Sequence, residues 1–462
     1  MSKYLELFKS AFDDSIGTKT KPENKPYIGY SLTDGKLAYT VVPKKEEEDT
    51  STTFRFISRE DDNVVDFYNN AWLGHIDDSK KQNVYLKVNN GEWVSIANQT
   101  SFTLNTGDKL YFKNEGEDLK TFYVGGSSAS IGTTTKTFDV AGNVDEFMIP
   151  SGNMTSKQYY SLFANTKVVD ASELILPAAE LASNCYDHMF CKCTSLTAAP
   201  ELPSTVLAED CYDCMFNTCT SLTTAPELPS TVLAEGCYRY MFSSCTSLTT
   251  APELPATTLA NRCYEGMFNY CTSLTTVPKI LPAMTLTDSC YSNMFFSCTS
   301  LATAPELPAT TLANRCYEGM FNYCTSLTTV PKILPAMTLT DSCYGNMFDQ
   351  CTSLTTAPVL PATTLAPRCY QCMFFGCEFL TTVPELPATE LVESCYSHMF
   401  SHCTSLNYIK CLATDISASR CTTGWVDGVS NTGTFVKHPN VTHWTTGTSG
   451  IPSGWTVVDA EV

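Results

Sequence analysis

The 462-residue chain holds no apolar run near the roughly 18 residues that a membrane-crossing helix needs. Its first residues, Met-Ser-Lys-Tyr-Leu-Glu-Leu-Phe-Lys, carry charge where a secretory signal would be apolar, so the chain reads as not addressed for export. Basic residues are scarce, with 29 Lys and Arg against 48 Asp and Glu and a formal net charge of −19. Such a surface repels phosphate backbones, and no basic stripe with interleaved aromatics interrupts it, which argues against nucleic acid as a partner. No glycine-rich phosphate loop follows a strand. A nucleophile, a base and an orienting group are nowhere grouped, so no catalytic residue, cofactor or metal is expected.

Cysteine, by contrast, is abundant, and its placement decides the fold. Cys185, Cys211, Cys237, Cys263, Cys290, Cys316, Cys343, Cys369, Cys395 and Cys421 follow one another at steps of 26 residues, lengthened to 27 at two places. Each opens a copy of one unit, typified by Cys-Tyr-x-x-Met-Phe-x-x-Cys-Thr-Ser-Leu-Thr-Thr-Ala-Pro-Glu-Leu-Pro. A constant step of this size predicts a solenoid, because so short a unit closes no core alone and must bury its apolar side against its neighbours. The extra residue falls where Ala-Pro-Glu-Leu-Pro becomes Val-Pro-Lys-Ile-Leu-Pro, at 277–282 and 330–335, and is expected in a loop. Nineteen of the 23 cysteines occupy two positions eight residues apart. They are expected to stack as columns of small buried hydrophobes, reduced rather than bridged, although the spacing between coils would admit some disulfides.

Within a unit, Leu-Thr-Thr-Ala/Val-Pro reads as a short extended segment ended by proline. Leu-Ala-x-x-Cys-Tyr-x-x-Met-Phe-x-x-Cys places its apolar residues about four apart, which predicts a helical turn or two on the opposite wall. The expected interior ladder comprises the first cysteines from Cys185 to Cys395 together with Cys271, Cys324, Leu274 and Phe268. Threonine and serine hydroxyls are left outside.

Residues 1–50 read as an anchor: an amphipathic helix with Leu5, Phe8 and Phe12 on one side, a tether, and a hairpin turning at Asp34-Gly35. The helix stripe is suited equally to its own domain or to a partner. Residues 51–150 alternate as short strands and predict a small β-sandwich, with Asn90-Gly91 as a hairpin turn. Trp72, Trp93, Tyr111 and Tyr123 could form a sugar-stacking platform, but aromatic residues on strands are more often core. Residues 151–180 carry a degraded copy of the repeat, an N-terminal cap, ahead of repeats over 181–421. Residues 422–462, with Trp425, Trp444 and Trp455, are expected to cover the last coil.

His398 and His402, near Cys395 and Cys403, superficially resemble a metal site. The cysteines belong to the repeat columns and the histidines to variable outward positions, so a structural role is expected. The same holds for Cys211-Tyr-Asp-Cys214 and Cys369-Tyr-Gln-Cys372.

Met-Phe-Asn-Tyr-Cys-Thr-Ser-Leu-Thr (267–275) resembles the kernel of BspA-type leucine-rich repeats, and the resemblance extends over about 160–421. The tail at 444–455 is similar to that of such proteins in anaerobic gut bacteria and their phages. The resemblance implies adhesion, or protein and glycan binding, without catalysis. Two placements follow. One is a phage virion fibre or decoration protein, assembled in the host cytoplasm, attached to virion proteins through residues 1–50 and binding a host-surface protein or glycan through the repeats. The alternative is a bacterial surface adhesin exported by an unrecognised route, which predicts oxidised cysteines between coils. An open-ended repeat array is also suited to work as a homo-oligomer. Residues 256–291 recur unchanged at 309–344, the mark of a duplicated two-repeat block.

Overall fold

The computed structural model describes residues 27–33, 36–42, 52–66, 81–98, 101–116, 118–119, 136–149, 154–176, 181–441 and 444–461. The chain divides into two compact units, Met1–Ser51 and Thr52–Val462. In the first, β1 (Tyr27–Thr33) and β2 (Lys36–Val42) pair antiparallel from Tyr27↔Val42 to Thr33↔Lys36, which makes the expected hairpin. The turn residues Asp34 and Gly35, and the stripe Leu5, Phe8 and Phe12, lie outside the described residues.

The second unit opens with short strands, most of them largely buried. They are β3 (Arg55–Ser58), β4 (Asn63–Asp66), β5 (Val84–Val88), β6 (Val94–Ser95), β7 (Ser101–Leu104), β8 (Lys109–Asn114) and β9 (Phe138–Asn143), with a further β10 (Glu173–Ile175). One six-stranded sheet runs in the order β10-β9-β3-β8-β5-β6, and β4 and β7 form a second, two-stranded sheet. Phe54, Phe56, Phe112, Phe138 and Phe147 make a buried aromatic cluster, with ring centroids 4.6–5.7 Å apart. Val65, Phe102 and Leu104 from the small sheet join the same core. Gly142 has φ +83, and a Cβ there would meet the Thr53 carbonyl oxygen at 2.2 Å, so the close approach of β9 to the chain before β3 requires glycine. The turn expected at Asn90-Gly91 lies one residue earlier. Gly91 N–H donates to Val88 O at 2.9 Å, and Asn89 is the left-handed residue at φ 50.

The β module and the repeats share one continuous core. Helix α1 (Val144–Met148) is capped by the Asn143 side chain, which accepts from Asp145 N–H at 3.0 Å. Asp145 then takes the hydroxyl hydrogen bond of the fully buried Tyr159. Tyr159 stacks on Tyr186, and Phe163 lies 6.3 Å from Phe54, so the degraded copy carries the packing from sheet to repeat. Parallel bridges Phe138↔Val168 and Asp170↔Ala198 continue the same join through the backbone.

The repeats have a leucine-rich repeat fold of turns and strand-like segments with almost no helix. The helical turn expected in each coil is absent from the described repeats, and the reason lies in the backbone. In the coil opened by Cys211, Asp213 N–H donates to Asp210 O, Met215 to Tyr212 O and Asn217 to Cys214 O, each three residues back. The alternate amides leave the coil altogether: Tyr212 donates to Cys237 O at 3.0 Å, Cys214 to Arg239 O at 2.9 Å and Phe216 to Met241 O at 2.9 Å. Every fourth residue (Asp210, Cys214, Thr218) is left-handed, with φ between 49 and 62. A helix would direct every amide along its own axis. Here a chain of overlapping turns divides them between its own coil and the next. Its four-residue period lies close enough to 3.6 to imitate helical spacing.

The opposite wall is also simpler than expected. The threonine segments meet through single-residue parallel bridges, Thr224↔Thr250, Thr250↔Thr276, Thr303↔Thr329 and Thr356↔Thr382, and do not lengthen into strands. Prolines follow at 226, 252 and 278 and supply no N–H to extend the pairing.

Between the walls the side chains stack in register. Tyrosine centroids from Tyr186 to Tyr396 are 5.5–6.0 Å apart. Phenylalanines from Phe190 to Phe400 are spaced at 5.5–5.9 Å. All 23 cysteines are free thiols. Those of the second column do more than fill space. Cys245 Sγ donates to Phe216 O at 3.1 Å, Cys271 to Phe242 O at 3.1 Å and Cys324 to Phe295 O at 3.1 Å, each reaching the preceding coil. Burial pushes the thiols of Cys193, Cys245 and Cys324 up to about 12.

At the C-terminal end Trp425 terminates both aromatic columns, 6.1 Å from Tyr396 and 6.1 Å from Phe400. Its indole N–H donates to Gly450 O at 2.8 Å, and Trp444 stacks on it at 5.7 Å. Strands β11 (Tyr408–Cys411), β12 (Thr434–Lys437) and β13 (Thr456–Asp459) complete this end as a parallel sheet.

Two outcomes follow from this packing. Without reductant, all 23 cysteines are expected to titrate in strong denaturant, whereas in native buffer at about pH 8 even the half-buried Cys214 and Cys372, whose thiols burial pushes up, should label only slowly and the rest not at all. A denatured count below 23 would show bridges and refute the reduced columns. Second, burial raises Asp145 from 3.8 to about 6. The folded chain therefore holds this proton more tightly than the unfolded chain. Its contribution to stability is full below 3.8 and is lost as pH rises through about 6. Asp145→Asn keeps an acceptor for Tyr159 and should raise the melting temperature at neutral pH while leaving it unchanged near about pH 3. An equal shift at both pH values would mean the charge is not the cause.

Candidate binding surface

The interior ladder named from sequence is wholly inside the fold. Every first cysteine from Cys185 to Cys395, and Cys271, Cys324, Leu274 and Phe268, is fully buried. The cysteine thiols with resolved shifts are all displaced upward, chiefly by burial, which makes them poor nucleophiles and poor metal ligands. Among the described residues no three His, Cys, Asp or Glu side chains converge as a metal ion would need. His402 packs edge-on to Phe375 at 5.2 Å, and the His398 ring lies over Gly424. Among the aromatics considered as a platform in the β module, Tyr111 is buried and Trp93 is half-buried with the Lys87 ammonium 4.6 Å from its ring centre. Trp72 and Tyr123 lie outside the described residues.

Chemistry available to a partner therefore sits on outward positions, which fall into three groups. The first is hydroxyl. Thr223 and Thr224, Thr249 and Thr250, Thr275 and Thr276, and their counterparts as far as Thr381 and Thr382 are exposed, coil after coil, with Ala302 the one position in this run that lacks a hydroxyl. Some hydroxyls steady the ladder by donating backward, as Thr275 Oγ1 does to Thr249 O at 3.2 Å.

The second group comes from the prolines. Where two Ala-Pro-Glu-Leu-Pro segments adjoin, neither supplies amides to bridge the coils, and a groove of about 440 Å³ opens, lined by Glu227, Leu228, Pro229, Pro252, Glu253 and Pro255 among others. A neighbouring groove of about 290 Å³ lies between Pro200–Pro203 and Pro226–Pro229. The longer Val-Pro-Lys-Ile-Leu-Pro loops bridge instead. Glu306 N–H donates to Lys279 O at 2.9 Å, Leu281 N–H donates to Glu306 O at 3.1 Å, and Ile333 bridges Val359 in the same way.

The third group escaped sequence reasoning. Tyr270, Phe296 and Tyr323 lie side by side on three successive coils, with ring centroids 5.2 and 5.9 Å apart and Phe296 inclined at 66° and 56° to its neighbours. Both tyrosines are about half exposed, at 48% and 47%, and both are left-handed, with φ 59 and 60. The signal for the tyrosines was present one residue before the second cysteine, where other copies carry Lys192, Thr218, Ser244, Ser297, Gln350, Gly376 or His402, and Phe296 stands two residues before Cys298. Within a repeat dominated by cysteine and tyrosine columns, an aromatic at a variable position did not stand out. Asn269 and Asn322, one residue before each tyrosine, have buried side-chain oxygens with no hydrogen-bond partner. Beyond the row, burial pushes the Asp349 carboxyl up to about 7.

Residues 183–328 and 255–371 match the family described as BspA type leucine rich repeat region, in six copies. The repeats over residues 183–371 are of the BspA type. Two crystal structures are similar to the chain. A leucine-rich repeat protein from Bacteroides ovatus is 16% identical with a TM-score of 0.37, over 65% of this chain and 77% of that one. A leucine rich cell surface protein from Faecalibacterium prausnitzii is 16% identical with a TM-score of 0.36, over 76% and 90%. No curated protein matches. BspA-type repeats thus account for the constant step along the chain.

Left-handed backbone favours glycine, which this chain uses at the equivalent position 376 with φ 68. Tyr270→Gly is therefore expected to change stability by less than about 1 kcal/mol, relief of backbone strain offsetting the lost edge contact with Phe296. A larger loss in urea unfolding would show that the ring is a structural member of the coil.

Proposed function

We propose that this chain is a non-catalytic, adhesin-like protein of a bacterial surface, whose solenoid of BspA-type repeats binds a host or mucosal protein or glycan. The observation that carries this reading is the exposed threonine ladder, repeated coil after coil on a frame held by main-chain hydrogen bonds. A wide array of neutral hydroxyls suits a ligand recognised by many weak hydrogen bonds. The acid excess disfavours polyanions.

Upward-shifted, buried thiols supply no nucleophile, which supports the absence of catalysis. They also bear on the cysteines that a surface protein was expected to carry oxidised. The columns are free thiols, inaccessible and largely protonated, so an oxidant meets neither a surface nor a thiolate. The virion fibre has no support in the family match, which favours the surface alternative.

Antibodies against the full chain, applied to intact cells of the bacterium that encodes it and to particles of any phage it carries, separate the readings. Labelling of intact cells that surface proteolysis removes is the expected result. Signal confined to the cytoplasm or to particles would overturn it.

A further inference from the structure

We propose that Tyr270, Phe296 and Tyr323 form a stacking platform for the neutral sugar rings of an oligosaccharide. The assignment rests on the adhesive reading above and names its ligand class and its residues.

Three observations converge on this row. A single half-exposed tyrosine is ordinary on a protein surface, but here two flank a third aromatic ring on consecutive coils. Both stand at the left-handed position that every coil of the array repeats, filled elsewhere by Lys192, Thr218, Ser244, Gln350, Gly376 or His402, so the repeat backbone fixes where each ring leaves the coil. Finally, the backbone beneath the rings is clamped. Tyr270 N–H donates to Phe296 O and Tyr323 N–H to Asp349 O, both at 2.8 Å, while Tyr270 O accepts from Thr272 N–H at 2.9 Å. The rings are thus presented by a rigid edge, and little conformational freedom remains to be lost on binding.

The chemistry narrows the ligand. One ring per coil makes a row that follows the stack, matched to a linear chain of rings and not to a single small molecule. A sugar ring offers an apolar C–H face for stacking and hydroxyls at its edge. The row answers with aromatic faces, two phenol hydroxyls and the neighbouring Ser297. The net charge of −19 selects neutral over sulfated or sialylated sugars, and it excludes nucleic-acid bases as alternative stacking partners.

The test is isothermal titration of the full chain with cellohexaose, chitohexaose and mannohexaose, with a heparin hexasaccharide as anionic control. At least one neutral hexaose is expected to bind, and heparin is not. Tyr270→Gly and Tyr323→Gly, each of which the backbone prefers, should weaken binding about 5- to 10-fold singly. The double variant should abolish it, while Tyr270→Phe should retain most of it. Melting curves confirm that each variant is folded. Failure of every neutral hexaose to bind, preference for heparin, or unchanged binding in the double variant would overturn the platform. Cell-surface labelling distinguishes the two readings. A labelled surface without hexaose binding sinks the platform alone, whereas hexaose binding by a chain absent from the surface sinks the adhesive function and leaves the platform standing.

Discussion

The repeat fold depends on main-chain amides that leave one coil and land on the next. At every second residue of the turn wall an N–H finds a carbonyl about 25 residues further along. This exchange sets the register of everything between the walls. Tyr lies over Tyr, Phe over Phe and thiol under carbonyl because the backbones are already aligned, and stacked rings then exclude the water that would compete for those bonds. The left-handed residues in each turn wall are the conformational cost of the arrangement, offset by the bonds they make possible.

Much of this was legible because inward side chains repeat their identity. The step, the cysteine columns, the degraded first copy and the tryptophan-rich end all announce themselves through residue type. What was not legible concerns backbone direction. Leu, Cys, Met-Phe and Cys at intervals of four satisfy a helix and a chain of four-residue turns equally, and side-chain spacing does not say where the amides point. The positions that decide it, such as Cys214, Thr218 and Tyr270, are left-handed without being glycine, so the usual marker is missing. Asn90-Gly91 failed in a milder way, since the left-handed residue is Asn89 and the turn closes on Gly91.

The surface was the least legible part, for a related reason. A repeat advertises what it holds constant, whereas recognition falls on what it varies. Tyr270 and Tyr323 are identical only because a two-repeat block is duplicated, and Phe296 between them gives way to Asp349 at the matching place in the second block. The proline grooves become visible only once the lost amides are placed opposite one another.

Trp425 has a consequence for how such an array can lengthen. One indole closes the tyrosine and the phenylalanine columns together and is itself covered by Trp444, while Tyr159 is tied at the other end to the β module through Asp145. Neither terminus of the stack offers a free rung. New coils can therefore enter only by internal insertion, in whole register-preserving units, and the unchanged recurrence of 256–291 at 309–344 has the form of such an event. Growth from the middle leaves both plugs intact, so the length of the array can drift over generations without exposing a raw aromatic edge to aggregation.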